Sequence, residues 1–483
     1  MSSQALVTLL LGLMEVVSFS IMSRLLSKED FGFYAAINAI VIVFSSLSET
    51  GIGSALVQKK EISSKYIGNA FTLSLLFGIV SMLVLFVAAF VLPETIVDNK
   101  MKLPLMLMSV TLLLNCVASV FKSILHRQMK FFTIGMIQLI ALVITTVVAV
   151  ILALKGLGYY AIITKAILAS IISCILFIIL SHTRCSLMMD KETFKAIFGF
   201  SGWLMASRFF SDLAKQADKL IMPRLMPIAE LGAYTRPKDF VNTFSGKING
   251  IFDSALFPIL SSLQDNKAAL TNAYRRSLYS MNLFSLLLSF AFGYNAELLL
   301  RVFFGKEWLY LTPVFVIFSM LVFFNADGRI ADCYLRSLGK TKQQFYFRIA
   351  EFVTKTIGVL IGSSFGLIGV AIGVTVMECL MKFIKVIYAG YLIDYSSGSI
   401  IKILLKSCQF ALVLLPICLL SYFFTPHTVM GEIINLCVFS VVTFVIFIFC
   451  PNIVGSNYKN DLYPTVHKYA KNLINRALRK NSK

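Results

Sequence analysis

Four charged residues stand at helical spacing inside one apolar segment near the middle of the chain: Arg208, Asp212, Lys215 and Lys219. Their separations of 4, 3 and 4 residues place them on one face of an α-helix. Ionised side chains are costly inside a bilayer, so this face must contact a partner helix or line a water-filled cavity. Ammonium and guanidinium groups are good ligands for phosphate oxygens. The pattern therefore predicts a cationic wall that binds an anion, above all a phosphate.

Similar mixtures of acidic and basic residues recur in other apolar segments, notably 231–262 and 309–335. The resulting candidates for anion binding are Arg208, Lys215, Lys219, Arg236, Lys247, Arg329 and Lys122. The candidates for carrying a coupling H⁺ or Na⁺ are the acidic residues Glu15, Glu49, Asp212, Asp253 and Asp332. The alternative is that these charges only pair with one another and hold helices together, as Arg208 with Asp212 can.

The residue types do not favour catalysis or a bound metal. The nine cysteines and four histidines are scattered and show no metal-ligand spacing. A glycan polymerase or ligase would need a large extracytoplasmic loop with acid and base residues. The longest such predicted loop, around Pro93 to Lys102, is too short. The sequence predicts no enzyme, no cofactor and no metal site, apart from the coupling ion.

The elements that position these charges are membrane spans. Apolar residues make up 58% of the chain and charged residues 14%, against about 45–50% and 25% in soluble domains. Apolar segments of roughly 20 residues, the length that crosses a bilayer, recur along the chain. We predict an all-α polytopic membrane protein of about fourteen helices. The predicted spans are 3–23, 31–57, 66–92, 103–125, 131–154, 157–181, 194–222, 231–262, 276–300, 309–335, 345–365, 367–391, 402–424 and 432–450.

The net charge of +20 is explained by membrane orientation. Basic residues accumulate in linkers after even-numbered spans, such as Lys59 and Lys60, and at the membrane edge as Lys382 and Lys385. Basic loops stay in the cytoplasm, so both termini are predicted to be cytoplasmic. Nucleic acid is not an expected partner, whereas membrane lipids are.

An internal repeat divides the chain. The stretch from Arg24 to Tyr34 matches the stretch from Arg224 to Tyr234 in Arg, Leu, Gly and Tyr, at a register of 200 residues throughout. An even number of spans separates the copies, which predicts two parallel six-helix bundles with a polar cavity between them. The predicted organisation is 1–185 and 190–392 for the bundles, 400–452 for two additional C-terminal helices, and 453–483 for a basic cytoplasmic tail.

Several short stretches form a recognisable series: 24–34, Gly51 to Gln58, Leu125 to Phe131, Asp218 to Ile221 running into Leu231 to Tyr234, and Phe257 to Ser261. They are distributed over most of the first 260 residues. In this order they resemble the polysaccharide-transport (Wzx-type) flippases of the multidrug/oligosaccharidyl-lipid/polysaccharide (MOP) exporter superfamily, which implies a location in the bacterial inner membrane.

The resemblance implies a fold like that of multidrug exporters and peptidoglycan-precursor flippases, and alternating access. It implies an undecaprenyl-pyrophosphate-linked oligosaccharide as substrate, moved from the inner to the outer leaflet for O-antigen, capsule or exopolysaccharide synthesis. Coupling to an ion gradient is implied, with a glycan polymerase and a chain-length regulator as further partners. At matching positions, Arg208, Lys215, Lys219, Arg236 and Arg329 are the implied ligands of the pyrophosphate and glycan.

Two other transport functions are alternative interpretations of the sequence. A multidrug cation antiporter of the same superfamily usually has twelve spans. Its cavity walls should be acidic rather than basic, because its substrates are cations. A flippase of the peptidoglycan lipid precursor would share the anionic headgroup and the span count.

Overall fold

Every regular element in the described part of the protein is a helix. The computed structural model describes residues 2–48, 52–58, 62–91, 98–183, 185–188, 190, 208–263, 266–424 and 429–449. The α-helices are α1 (Ser2–Leu25), α2 (Lys28–Ser48), α3 (Ile52–Gln58), α4 (Ser64–Val91), α5 (Asn99–Arg127), α6 (Phe131–Leu154), α7 (Tyr159–Ser181), α8 (208–221), α9 (Ile228–Ser262), α10 (Lys267–Tyr294), α11 (Ala296–Phe303), α12 (Thr312–Ser337), α13 (Thr341–Ser363), α14 (Gly366–Leu392), α15 (Ser397–Phe424) and α16 (Val429–Phe449). The predicted all-α fold is confirmed.

Many of these helices match the length and hydropathy of membrane spans. Within the described ranges nine do so, or ten if α10 and α11, which meet at a bend of 68°, form one broken span. Helices α9 and α13 extend over 35 and 23 residues, but they are more polar and fall outside this group. The polytopic character is therefore confirmed, and the count of fourteen stays a prediction. Residues 194–207 of the span predicted at 194–222 lie outside the described residues.

The chain forms two compact units. Unit 1 comprises Met1–Arg236, Val302–Gly305 and Glu351–Val370. In unit 1, α5 packs against α4 and α7, and α6 packs against α1 and α7. Its core contains Leu73, Phe121, Leu125, Ile137 and Phe177. Lipid tails are as apolar as these side chains, so close packing rather than removal from water holds the helices together.

Unit 2 comprises Pro237–Arg301, Lys306–Ala350 and Ala371–Lys483. Here α10 packs against α12 and α15. The contact is rich in aromatic residues, because Tyr274, Tyr334 and Phe410 are fully buried in it. The predicted division into two six-helix bundles, two additional helices and a tail stays a prediction.

The first copy of the sequence repeat forms a helix start with an elaborate cap. The backbone N–H of Ser27 donates to Asp30 Oδ2 at 3.0 Å, and the N–H of Asp30 donates to Ser27 Oγ at 3.1 Å. This reciprocal capping satisfies two amide groups at the start of α2. The other oxygen, Asp30 Oδ1, accepts from the N–H of Tyr159 at 2.8 Å and so ties α2 to the start of α7.

The two glycines of the repeat meet in a reciprocal contact within unit 1. A Cβ added at Gly32 would overlap the carbonyl oxygen of Ile228, and a Cβ added at Gly232 would overlap that of Lys28. Each contact is the other shifted by the repeat register, since Ile228 is the counterpart of Lys28. Only glycine lets two helix starts approach this closely. The glycine match in the sequence therefore marks a point of backbone contact between the two copies.

Replacing Gly32 by alanine should lower the melting temperature of the purified protein. The added methyl group meets backbone rather than a flexible side chain, and overpacking of this kind costs about 1–3 kcal/mol. Gly232→Ala should have an effect of similar size because its contact is the reciprocal one. Gly246→Ala is the matched control, since the nearest atom to its added Cβ, Arg329 Nη2, is 3.9 Å away. Equal melting temperatures for Gly32→Ala and Gly246→Ala would contradict the close contact.

Candidate functional site

A cavity of about 500 Å³ lies inside unit 1. Residues of α1, α2, α6, α7 and the start of α9 line it. Three of these lining residues are charged: Glu15, Lys165 and Arg236. Two cations and one carboxylate leave a net charge of +1. The cavity therefore favours an anionic over a cationic occupant.

Lys165 points from α7 toward α1. Its ammonium donates a hydrogen bond to Ser18 Oγ, which also accepts from Thr146 Oγ1 at 3.0 Å. The carboxylate of Glu15 and the guanidinium of Arg236 are both near enough to interact electrostatically with the ammonium. The lysine is thus held at the cavity wall by hydroxyl groups, and the acid opposes part of the positive charge.

Arg236 is clamped between two aromatic rings. Its guanidinium carbon lies 3.7 Å from the ring centroid of Phe19 and 3.9 Å from that of Phe31. Its Nη2 donates to Ser23 Oγ at 2.5 Å and to the Phe19 carbonyl at 3.2 Å. Stacking on both faces fixes the plane of the guanidinium, which is the geometry for oriented binding of an oxyanion.

Unit 2 contains a second set of charges, centred on Glu378 of α14. Glu378 Oε1 lies 3.2 Å from Lys238 Nζ, and Oε2 lies 2.8 Å from Lys382 Nζ. Lys382 also donates to Asn325 Oδ1 of α12. The Lys238 side chain is only 6% exposed, and the ion pair with Glu378 stabilises its positive charge in this buried position.

Asp332 of α12 is the centre of a third set, also in unit 2. Its carboxylate lies 2.7 Å from Arg348 Nη2 and 3.3 Å from Lys385 Nζ, and it accepts from Gln344 Nε2 at 3.3 Å. The Lys385 side chain is 2% exposed. The acid therefore joins three helices, α12, α13 and α14, through ion pairs and hydrogen bonds.

Of the sequence candidates, the structure brings Glu15 and Arg236 together at the cavity and places Asp332 in the network just described. Lys215 of α8 lies 2.7 Å from Asp212, and its side chain is 60% exposed. Arg208 is exposed, while Lys219, Arg329 and Lys122 are partly buried. Glu49 and the side chains of Lys247 and Asp253 lie outside the described residues.

Sequence reasoning did not select Lys165, Lys238, Arg348, Glu378, Lys382 and Lys385 as site residues. Two of them, Lys382 and Lys385, were instead interpreted as charges at the membrane edge. In the structure α14 continues past both residues to Leu392. Lys385 is buried and Lys382 is partly buried, and their position relative to the membrane edge stays a prediction. A signal was present: Glu378, Lys382 and Lys385 are spaced 4 and 3 residues apart and so share one helix face.

Long apolar helices around a cavity with charged walls are typical of membrane transport proteins. Solved structures share this fold. The lipid II flippase MurJ in an inward closed conformation superposes with a TM-score of 0.70 at 15% identity, over 92% of this chain and 97% of that chain. An inward-facing multidrug resistance MATE family transporter of the MOP superfamily gives a TM-score of 0.65 at 12% identity, over 80% and 94%.

The chain belongs to a family described as polysaccharide biosynthesis protein, whose model matches residues 21–313. It is 22% identical to the succinoglycan biosynthesis transport protein ExoT of Rhizobium meliloti (strain 1021), over 72% of this chain and 71% of the relative. It is 21% identical to the lipopolysaccharide biosynthesis protein WzxC of Escherichia coli (strain K12), over 80% and 78%. These findings confirm the predicted family and a membrane transport protein rather than an enzyme.

Proposed function

We propose that this protein is a flippase that moves an undecaprenyl-pyrophosphate-linked oligosaccharide from the inner to the outer leaflet of the bacterial inner membrane. The product is used for a surface polysaccharide. Three kinds of observation support the proposal: the family, relatives such as a putative O-antigen transporter of Shigella flexneri at 23% identity over 74% of this chain and 90% of that protein, and the charge of the cavity.

The cavity in unit 1 carries the proposal. A volume of about 500 Å³ suits a pyrophosphate or a single sugar, not a whole oligosaccharide. Lys165 and Arg236 outnumber Glu15 there, and both are held in place by neighbouring side chains. Oriented cations replace the water that an anionic headgroup loses when it enters the protein. A cationic drug would meet unfavourable charge at the same wall, which speaks against a multidrug antiporter.

The remaining features of the proposal come from the family resemblance and the sequence. Transport proceeds by alternating access and is coupled to an H⁺ or Na⁺ gradient. Both termini lie in the cytoplasm, and a glycan polymerase and a chain-length regulator act beside the flippase. The anion-binding and ion-coupling roles of the sequence candidates stay predictions.

A deletion strain tests the function. Without the gene, lipid-linked repeat units should accumulate on the cytoplasmic side, where they are inaccessible to a membrane-impermeant reagent that modifies glycans. Surface polysaccharide should fall to background, and a plasmid copy of the gene should restore it. The readout is the ratio of protected to accessible lipid-linked glycan in spheroplasts.

Two outcomes would contradict the proposal. Unchanged surface polysaccharide together with new sensitivity to cationic compounds would assign the protein to drug export. Lysis with accumulated peptidoglycan precursor, and normal repeat-unit export, would assign it to the peptidoglycan pathway.

A further inference from the structure

Asp327 of α12 is an acidic residue that none of the charge networks uses. It is 2% exposed and lies within the part of α12 that packs against α10. Asn282 of α10, which is fully buried, is a polar neighbour of its carboxyl group. Asp327 Oδ1 has no hydrogen-bond partner, and neither Oδ1 nor Nδ2 of Asn282 has one. Three polar atoms of these two side chains are therefore left without a hydrogen bond in the core of unit 2.

The surroundings offer this carboxyl group little compensation. In the described part of the chain Asp327 makes no ion pair. Tyr274 of α10 is a titratable side chain that interacts with it, and Tyr334 of α12 packs against Tyr274. Their hydroxyls donate to the carbonyls of Val386 and Leu270. On the side of α14, Lys382 packs against Gly328 and directs its ammonium to Glu378 and Asn325.

A carboxylate without a cation costs many kcal/mol in such a place, so the neutral acid is the favoured form. The acid form also fits its neighbour. A carboxylic acid has one O–H donor and one C=O acceptor, and a primary amide has one C=O acceptor and N–H donors. Protonated Asp327 can donate to Asn282 Oδ1 while it accepts from Nδ2. An ionised Asp327 could accept from Nδ2 but offers no donor to Asn282 Oδ1, and the proton supplies that donor.

We propose that Asp327 and Asn282 form a proton-binding site in the core of unit 2, and that release of this proton is a step of the transport cycle. The step converts the acid to a carboxylate and a proton that passes to water, with no electron transfer. The role in transport rests on the flippase function proposed above, whereas the protonation of Asp327 does not. None of the acids that the sequence suggested for ion coupling is this residue.

Helix α12 provides a connection between this site and the charge networks. Asp327 lies toward α10, whereas Asn325 and Asp332 of the same helix bind Lys382 and Lys385 of α14. Loss of the proton places a charge in a packed apolar contact, which favours rotation or displacement of α12 toward water. The same movement would change the contacts of Asn325 and Asp332 with α14.

Infrared difference spectroscopy of the full-length protein in lipid tests the protonation. The spectrum of the wild type minus that of Asp327→Asn at pH 7 should show the C=O stretch of one protonated carboxylic acid, and it should shift in D₂O. Asp394→Asn is the control, because Asp394 lies at an exposed ion pair with Lys267 and should contribute only carboxylate bands. Carboxylate bands in the Asp327→Asn difference spectrum would overturn the proposal.

Two further measurements separate protons from sodium and binding from transport. Na⁺ should change the melting temperature of the wild type no more than that of Asp327→Asn. A stabilisation by Na⁺ that is lost in Asp327→Asn would identify a sodium site instead of a proton site. In cells, Asp327→Asn should insert normally and lower glycan export at least tenfold, because its amide cannot release a proton. Full export by this variant would overturn the coupling. Failure of the flippase proposal would leave the infrared result unaffected.

Discussion

Replacing Lys165 by methionine should lower export of surface polysaccharide at least tenfold without loss of membrane insertion. The lysine contributes one of the two positive charges of the unit 1 cavity, and the substitution leaves Glu15 to cancel the other. A charge-assisted hydrogen bond to an anion contributes about 1.5–3 kcal/mol, and each 1.4 kcal/mol corresponds to a factor of ten. The measurement is surface polysaccharide per unit of inserted protein in a complemented deletion strain.

Two variants control for loss of structure and for general loss of positive charge. Lys165→Arg keeps the charge and should retain most of the export. Lys215→Met removes a lysine that is already paired with Asp212 and whose side chain is 60% exposed, so its effect should be less than threefold. A larger loss with Lys215→Met than with Lys165→Met would move the anion site away from the cavity and back to the charged face of α8.

Replacing Asp332 by asparagine should cost about 3 kcal/mol of stability, the lower end of the range for breaking a buried ion pair. The substitution leaves the ammonium of Lys385, 2% exposed, and the guanidinium of Arg348 facing each other without the acid between them. The cost comes from the buried Lys385 and the partly buried Arg348 and not from a lost contact alone. It should be visible as a lower midpoint of chemical unfolding of the purified protein in detergent.

A second substitution distinguishes this mechanism from a local packing defect. Lys385→Met in the Asp332→Asn background removes one of the two cations that lose this acid and should restore part of the stability. Asp394→Asn breaks the exposed pair with Lys267, in which both side chains are 73% exposed, and should change stability by less than about 1 kcal/mol. Equal losses of stability for Asp332→Asn and Asp394→Asn would show that the ion pairs of Asp332 contribute no more than an exposed pair.

Within a single helix, the sequence was a good guide. Residues three or four positions apart share a face whatever the helix packs against, so the face of Arg208, Asp212, Lys215 and Lys219 can be read from spacing. The glycines of the repeat are a further case. Gly32 and Gly232 could be paired by register, although their reciprocal backbone contact became visible only in the structure.

What the sequence by itself determined is the membrane character, the helices and which residues share a face, because composition and helical periodicity are local properties. The tertiary structure decided which faces meet. Lys165 and Arg236 stand 71 residues apart and line one cavity, yet Asp327 and Asp332, five residues apart on α12, lie in different surroundings. A five-residue step turns an α-helix by about 140°. Asp332 therefore reaches cations of α13 and α14, whereas Asp327 points to the contact between α12 and α10 and lies next to Asn282. The cost or benefit of a charge in a membrane depends on such long-range neighbours, which spacing along the chain does not contain.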